Sequence, residues 1–502
     1  MLKQSGSRNQ ITVFLSIIEK TFLYLQGKIK LTVIMKKIAL MVFAAVMATA
    51  ALAQNDRPKT IELTDAERSL VEQNSDFAFN LFRQARKAEN FVISPLSITY
   101  ALGMLNNGAE GITREEISQV LSGGRQTGYA DVATMNDFCH KMLVESALID
   151  KDTRVSIANS IFFNGDRKDI ELKSAFKDAA AAYYDAKPAV LSFSDEATLG
   201  IINQWATDHT DGMIRDLLKP EDMNDPNLVS FLLNAVCFKG TWLNQFDEQL
   251  TKRQSFDDMR STVMMMTQTS EFLYAETDLY QSIVLPYGSM AGKDLQAEAG
   301  AYQMTLFLPR HGKTLDDVLT AMNGKNWNAA EYKRYEVKLS MPRIETDTDQ
   351  DLVEIMASLG MKNAFLNYDG HGFWDFCHFG DNEDYSDPCW ISIMKQKAHL
   401  KLDENGTEAA AVTVVAMLDK SMPEYMEFIA NRPFLYIISE RSTGSIFFIG
   451  QYMGDTTKGV TQIEASRQTI DKAVYDLQGR KVGNGRQKKG LYVVGGKKTI
   501  VN

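Results

Sequence analysis

Apolar positions along residues 64–455 follow helical spacing at first and form strand-like runs later. Residues 66–88 carry apolar side chains every three or four positions, which predicts an amphipathic helix with Asp65 as its cap. A second apolar run, residues 96–105, is introduced by Ser94-Pro95 and predicts a buried helix. This part of the chain therefore begins with helices.

Three later runs are rich in branched and aromatic residues and predict strands: 228–238, 302–308 and 434–449. Thr113 and Glu116 stand three positions apart before an apolar stretch, which matches a capping box and predicts a helix start. Because helices mostly come first and long strands later, without a βαβ rhythm, the pattern favours an α+β fold over a doubly wound sheet.

The chain changes character after the main domain, which we predict over residues 54–455. Residues 456–470 are polar and typical of a linker. Residues 471–502 are basic and contain short strand-like runs separated by glycines, for example residues 490–494. The sequence therefore predicts a small β-rich C-terminal module.

Composition narrows the function classes. The chain has 502 residues, of which 45% are hydrophobic and 24% charged, so it can bury a large core and is not intrinsically disordered. The net charge of −10, with Lys and Arg spread along the chain, argues against nucleic-acid binding. Four cysteines are too few for a disulfide-built scaffold.

The N-terminal segment, residues 1–53, contains a pattern typical of a secretory signal peptide. Met35 and two lysines precede a short apolar run, and small residues stand before Gln54. The run is too short to serve as a transmembrane anchor. We predict translation from Met35 and a mature protein beginning near Gln54, secreted to the extracellular space or cell surface, with the periplasm as an alternative. A long, unusual leader is the other interpretation.

Residues 403–416 combine a possible turn with a strip of small residues. On an extended strand, one face would carry Thr407, Ala409, Ala411, Thr413 and Val415. Such a strip could enter between two strands without a new cavity, while Glu408 would point to the other face. Gly406 would allow the chain to hinge. Taken alone, the run also fits an ordinary Ala-rich helix or strand.

Six segments resemble the serpin family and occur in the family's order. The first is Gly406-Thr407-Glu408-Ala409-Ala410-Ala411, preceded by Glu404, which is the hinge pattern of inhibitory serpins. The others are residues 90–98, 202–214, 234–242, 431–436 and 442–450. The resemblance covers residues 64–455. It implies a serpin fold, with a large central mixed sheet, further sheets, surrounding helices and an exposed reactive-centre loop.

The resemblance also implies a function, suicide inhibition of serine proteases. The protease cuts the loop and forms an acyl-enzyme, and the hinge strand then inserts into the sheet and distorts the attached protease. The expected partner is therefore a target protease held in a covalent acyl complex. Alternatives are a non-inhibitory serpin, a surface-displayed binding protein, or a cross-class inhibitor of cysteine proteases.

The family spacing, counted from the hinge, places the reactive bond between Lys420 and Ser421. Counting backward from Asn431 suggests Met422 and Pro423 instead, because the loop is two residues longer than usual. We favour Lys420, since the length before the cut controls insertion. A lysine there suits trypsin-like proteases, whose primary pocket carries a carboxylate.

The resemblance also places a sheet-opening cluster of polar residues that holds two central strands together, at Ser94, Ser97, Asn234 and Gln396. The family often has histidine where this chain has Gln396, and His399 follows three residues later. Trp242 matches the aromatic residue where insertion begins, although a plain core tryptophan is the competing interpretation.

The C-terminal module resembles the sorting modules of bacterial type IX secretion substrates; a β-rich tail of no special role is the alternative. No enzyme motif is present, so we expect neither catalysis nor a cofactor. His371, Cys377, His378 and Cys389 share one loop, but their spacing fits no standard zinc site. Cys377 and Cys389 either pair or stay as thiols. We expect a monomer that binds no nucleic acid and no metal.

Overall fold

A computed structural model describes residues 60–150, 153–167, 170–288, 300–365, 377–379, 389–407 and 425–455. It also describes the C-terminal strands named below. The helices are α1 Asp65–Ala85, α2 Pro95–Asn106, α3 Gly111–Leu121, α4 Val132–Ser146, α5 Ser174–Tyr184, α6 Ala197–His209, α7 Leu315–Ala321 and α8 Val353–Leu359.

The strands of the first half of the chain are β1 Phe91–Ile93, β2 Thr153–Asn164, β3 Ile170–Leu172, β4 Ala189–Leu191, β5 Ser230–Thr241, β6 Lys252–Phe256, β7 Ser261–Glu276 and β8 Tyr280–Pro286. The later strands are β9 Tyr302–Pro309, β10 Lys333–Pro342, β11 Ile344–Asp351, β12 Cys377–Phe379, β13 Ile393–Leu402, β14 Gly406–Thr407, β15 Tyr425–Ile429, β16 Phe434–Glu440 and β17 Ile446–Tyr452. The C-terminal strands are β18 Val474–Tyr475, β19 Lys481–Val482, β20 Gly490–Val494 and β21 Lys497–Val501.

The first two helices begin as their local sequences dictate, with one correction. Thr64, not Asp65, caps α1, because its side chain accepts from the N–H of Glu67 while the Glu67 side chain accepts from the N–H of Thr64. Ser94 caps α2 and Pro95 occupies its first position. Every residue of α2 is buried, as the apolar run predicted.

The capping box predicted at Thr113 is wrong. Helix α3 begins two residues earlier, at Gly111, so Thr113 lies inside the helix and is buried. The Glu116 carboxylate instead accepts hydrogen bonds from the backbone N–H groups of Lys362 and Asn363, 2.8 Å each. The Glu116 side chain therefore binds a segment that is distant in sequence instead of capping the start of its own helix.

A central sheet of six strands follows the order β11-β13-β14-β5-β2-β4. Its pairing is mixed, because β5 is antiparallel to β2 but parallel to β13. The short strand β14 lies between β13 and β5 at one end and is antiparallel to both. Beyond β14 the two strands pair directly, from Ile393 opposite Phe231 to His399 opposite Cys237.

A second sheet of nine strands contains the order β1-β17-β16-β9-β8-β7-β10-β15, with β6 paired to β7. The strands predicted over residues 228–238, 302–308 and 434–449 are confirmed as β5, β9 and the pair β16 and β17. The prediction of an α+β fold with a large mixed central sheet is also confirmed.

The two faces of the central sheet are covered differently. Helix α2 lies against one face, the α2 face, and belongs to the main apolar core with Val236 and Phe238 of β5. Helix α6 covers the other face, the α6 face, where Ile202 and Ala206 belong to a second core with Phe231. Successive residues of β5 therefore alternate between two cores.

The C-terminal strands form a separate four-stranded antiparallel sheet in the order β19-β18-β20-β21. Short strands were predicted there, and the structure places them at residues 474–475, 481–482 and 490–494. Within the described ranges, no helix has the length and apolar character needed to cross a membrane.

Candidate functional site

The sheet-opening cluster lies on the α2 face where β13 meets β5. Gln396 stands directly opposite Asn234 in the strand register, and its Nε2 donates to Asn234 Oδ1 at 2.6 Å. Asn234 Nδ2 in turn donates to Ser97 Oγ and to Asn159 Oδ1, the latter at 2.6 Å. All four residues are buried. One side-chain amide pair therefore joins the two strands across their junction.

Gln396 also ties β13 to the start of α2. Its Oε1 accepts from the N–H of Ser94 at 2.9 Å, and its Nε2 donates to the carbonyl of Ser94 at 3.1 Å. The Ser94 hydroxyl accepts from the N–H of Ser97 at 3.4 Å, as the cap of the helix. The structure thus brings Ser94, Ser97, Asn234 and Gln396 into one network, while their role in sheet opening stays a prediction.

Asn159 belongs to this network and was missed from the sequence. It lies on β2 opposite Asn234. A signal was available, because a lone amide among buried positions of a strand needs a partner. The sequence alone does not reveal that β2 neighbours β5.

The hinge begins at an anchored carboxylate. The Glu404 side chain is 2% exposed and forms a bidentate ion pair with Arg343, with the closest N–O distance 2.7 Å. The Thr251 hydroxyl donates to Glu404 at 2.5 Å. Burial raises the pKa of Glu404, but the hydrogen bonds from Arg343 and Thr251 outweigh it and hold the pKa below its ordinary value. Glu404 is therefore a charged anchor.

Gly406 allows the chain to enter the sheet. Its φ is +142°, and a Cβ there would lie 2.1 Å from the carbonyl oxygen of Gly240. No larger residue can occupy this position without displacing β5. Thr407 follows and is fully buried, with its Oγ1 3.0 Å from the Tyr287 hydroxyl.

Trp242 contacts the start of the hinge through both its side chain and its backbone. Its indole N–H donates to the carbonyl of Asp403 at 3.0 Å, and its backbone N–H donates to the carbonyl of Asn405 at 2.8 Å. The indole stacks on Tyr287 with ring centroids 4.4 Å apart. Trp242 is thus in the core and also in direct contact with the hinge. Arg343, Thr251 and Tyr287 were missed, because no local pattern connects them to residues 403–407.

The remaining predicted site residues lie outside the described residues. They are Glu408, Ala409, Ala410, Ala411, Lys420, Ser421, Met422 and Pro423. His371 and the side chains of Cys377 and His378 lie outside as well, while Cys389 is buried. Among the residues that the structure does describe, no group of three or more His, Cys, Asp or Glu side chains could hold a metal ion.

Comparison with known proteins gives a consistent result. The profile of the Serpin (serine protease inhibitor) family matches residues 72–454. Serpin B6 of Macaca fascicularis is 29% identical over 400 residues, which cover 76% of this chain and 98% of the relative. The native state of the thermophilic serpin tengpin is similar in structure, with a TM-score of 0.67, 26% identity, and coverage of 79% of this chain and 96% of tengpin.

A second solved structure, human thyroxine-binding globulin, has a TM-score of 0.65 and 25% identity, and covers 77% of this chain and 98% of its own. The family match spans most of the chain, and the matched range contains the start of the hinge, the polar cluster and the mixed central sheet described above. The chain belongs to the serpin family.

Proposed function

We propose that this protein is a secreted inhibitor that traps serine proteases by inserting its cleaved reactive loop into the central sheet. The observation that supports this most is strand β14. Thr407 already pairs with both β13 and β5, and Gly406 pairs with β5, so the first residues of the hinge occupy the position of an added strand. The junction between these two strands is where the rest of the loop would follow.

The register of β14 fixes where an inserted loop would lie. Thr407 stands opposite Leu402 and Gly240, and continued antiparallel pairing would place Ala409 between Leu400 and Phe238. The small residues Ala409, Ala411, Thr413 and Val415 would then face the α2 face. Thr413 would arrive between Gln396 and Asn234, so that its hydroxyl meets the amides whose mutual hydrogen bond it separates.

Insertion can drive trapping because it follows an acyl-enzyme step. The protease nucleophile attacks the carbonyl carbon of residue 420, the peptide bond to residue 421 breaks, and the new amine leaves with a proton. Each inserted residue then gains backbone hydrogen bonds worth about 1 kcal/mol each. The protease is pulled along and its oxyanion hole is distorted, so that water no longer releases the acyl group. The intact inhibitor is therefore kinetically stable.

We assign the reactive bond to Lys420 and Ser421, with Met422 and Pro423 as the alternative, and expect trypsin-like targets. We also propose export through the signal peptide that begins at Met35. The C-terminal module would act in sorting or attachment at a bacterial cell surface. We assign the protein no catalytic activity of its own, and expect it to work as a monomer.

The test is incubation of the protein with trypsin, followed by denaturing electrophoresis and mass spectrometry. We expect a covalent complex and a released peptide that begins at Ser421. Lys420→Gln is the matched control, because it keeps the loop length but removes the charge that the trypsin pocket binds. It should reduce complex formation by about 100-fold, as expected for loss of a charged contact of about 3 kcal/mol.

Other results would change the assignment. A released peptide that begins at Pro423 would move the reactive bond. A complex with a papain-like protease but not with trypsin would support cross-class inhibition. Cleavage without any complex, and without a rise in melting temperature, would contradict trapping. It would favour a non-inhibitory role of the kind suggested by thyroxine-binding globulin, which is named for its ligand.

A further inference from the structure

The α6 face of the central sheet carries two rows of opposite charge. On β13 the row is Lys395, Lys397, His399 and Lys401, and on β11 it is Glu345, Asp347, Asp349 and Asp351. The register sets them directly opposite one another, from Glu345 facing Lys401 to Asp351 facing Lys395. Cross-strand pairs of opposite charge stabilise a sheet, so β11 and β13 are joined firmly on this face.

A segment that follows α6 reaches this charged surface. We call residues 214–223 the strap. Asp222 of the strap accepts from Lys395 Nζ at 2.8 Å, and the Asp216 carbonyl accepts from Lys397 Nζ at 2.8 Å. Lys219 of the strap pairs with Asp349 of β11 at 3.1 Å.

The Lys395 contact is shielded from water. The side chain of Lys395 is 8% exposed and that of Asp222 is 18% exposed. Asp349 lies 3.8 Å from the same ammonium group. A buried ammonium that loses its carboxylate partner is left without compensation, so breaking the Lys395 contact costs more than breaking a surface ion pair.

The body of the strap is fixed to the opposite side of the junction. Its Ile214, Leu217 and Leu218 belong to the apolar core that α6 forms with β2 and β5. The chain also runs from the strap into β5, which begins at Ser230. The strap is therefore attached to the core beside β5, while its polar groups bind residues of β13 and β11.

An added strand would separate these two sides. Neighbouring strands lie about 4.8 Å apart, so insertion between β5 and β13 moves them apart by about that distance. If the strap stays with β5, the 2.8 Å contact between Lys395 and Asp222 lengthens to well beyond hydrogen-bond range. The same displacement breaks the contacts of Lys397 and Lys219.

We propose that the buried ion pair between Lys395 and Asp222 is a second lock on the sheet, on the face opposite the sheet-opening cluster, and that it sets the rate at which the sheet accepts a strand. The proposal rests on the proposed trapping function. Lys395 and Asp222 act here as positioning residues, because they touch neither the protease nor the reactive bond.

The test measures how fast the intact protein takes up a synthetic peptide with the sequence of residues 407–416, followed by native electrophoresis. Lys395→Met keeps the length of the side chain and removes the charge. We expect uptake about tenfold faster, as for a barrier lowered by about 1.4 kcal/mol. Asp222→Asn should give the same acceleration, and the double variant should be no faster than either, since both remove one contact.

Two controls separate a lock from general support of the fold. Lys338→Met removes an ion pair of similar length, 3.0 Å to Glu427, in the second sheet and should leave uptake unchanged. The melting temperature of the cleaved, inserted form should be the same with and without Lys395→Met, because the contact is already broken there. Lys395→Arg, which keeps the charge, should behave like the parent.

Equal uptake rates in the parent, Lys395→Met and Asp222→Asn would overturn the proposal while leaving trapping intact. So would an equal fall in melting temperature of the native and cleaved forms of Lys395→Met. If the parent takes up no peptide and gains no stability on cleavage, the proposed function itself fails, and the lock with it.

Discussion

Strand β13 has two different junctions in the central sheet. With β11 it pairs antiparallel from Ile344 to Asp351, with opposite charges facing each other on the α6 face. With β5 it pairs parallel over a shorter stretch, and the hinge strand β14 already separates the two strands at one end. Parallel pairing is slightly less stable per residue.

The difference between the two junctions bears on where the proposed insertion would open the sheet. Backbone hydrogen bonds alone would make the two junctions similar. The β11 junction carries facing rows of opposite charge from Glu345 to Asp351. The β5 junction is instead crossed by the Gln396–Asn234 bond on one face and by the contact of Lys395 with Asp222 of the strap on the other. Because these two side-chain contacts can be broken one at a time, we expect the sheet to open at the β5 junction and to stay closed at β11.

The largest expected effect comes from blocking entry into the β5 junction. Ala409→Arg would place a charge between Leu400 and Phe238, both buried, and an unpaired buried charge costs about 3 kcal/mol or more. We expect the number of inhibitor molecules consumed per trypsin inactivated to rise about 100-fold, because cleavage continues while insertion stalls. Titration of trypsin activity measures this ratio.

Glu408→Gln is the control for that substitution, since the register turns residue 408 to the α6 face. It should change the ratio by less than about threefold, because the amide keeps the size of the side chain. Normal trapping by Ala409→Arg would show that the loop does not continue the register of β14.

A smaller effect is expected from removing the lock on the α2 face. Gln396→Leu deletes the donor to Asn234 and the acceptor for the N–H of Ser94, which leaves both groups buried without those bonds. Each such loss costs about 1–3 kcal/mol. We expect the native melting temperature to fall and uptake of the 407–416 peptide to become about tenfold faster.

A glutamine-to-leucine substitution at the junction between β11 and β13 is the matched comparison for Gln396→Leu. Gln350 lies on β11 directly opposite Gln396. Gln350→Leu should leave peptide uptake unchanged, because we expect that junction to stay closed. Equal acceleration by both variants would mean that the two junctions of β13 do not differ as described.

Much of this site could be anticipated from motifs that are continuous in sequence. The hinge residues and three members of the sheet-opening cluster, Ser94, Ser97 and Asn234, stand in or beside segments that resemble the family. Gln396 was placed only by its position before the hinge, where the family often has histidine. The hinge glycine has a local physical reason as well, since its conformation and its close approach to Gly240 exclude other residues.

The parts that could not be predicted depend on distant partners. Arg343 pairs with Glu404, and Asn159 completes the amide network, yet neither stands in a recognisable motif. The contacts of the strap could not be predicted either. Asp216, Lys219 and Asp222 have the composition of an ordinary solvated loop, and only the fold places them over β11 and β13. Glu116 was misassigned for this reason too: a tertiary contact outweighed a local cap.

The smallest effect concerns the Glu404 anchor at the mouth of the β5 junction. Glu404→Gln removes the ion pair with Arg343, whose side chain is 44% exposed, so we expect a loss of only about 1–2 kcal/mol in native stability at neutral pH. Because the pKa of Glu404 is lowered in the folded protein, its stabilisation is complete above the ordinary value of 4.5. It is lost as the pH falls through the lower, folded-state value.

The melting temperatures of the parent and Glu404→Gln should therefore differ by a constant amount above about pH 4.5 and converge in more acidic solution. Thermal melts at a series of pH values measure this. Glu427→Gln, which removes the exposed partner of Lys338 in the second sheet, is the matched control and should shift the melting temperature little at any pH. A difference in melting temperature that persists or grows in acid would show that the Glu404 carboxylate is not held in its charged form. Backbone contacts alone would then anchor the hinge at this end of the β5 junction.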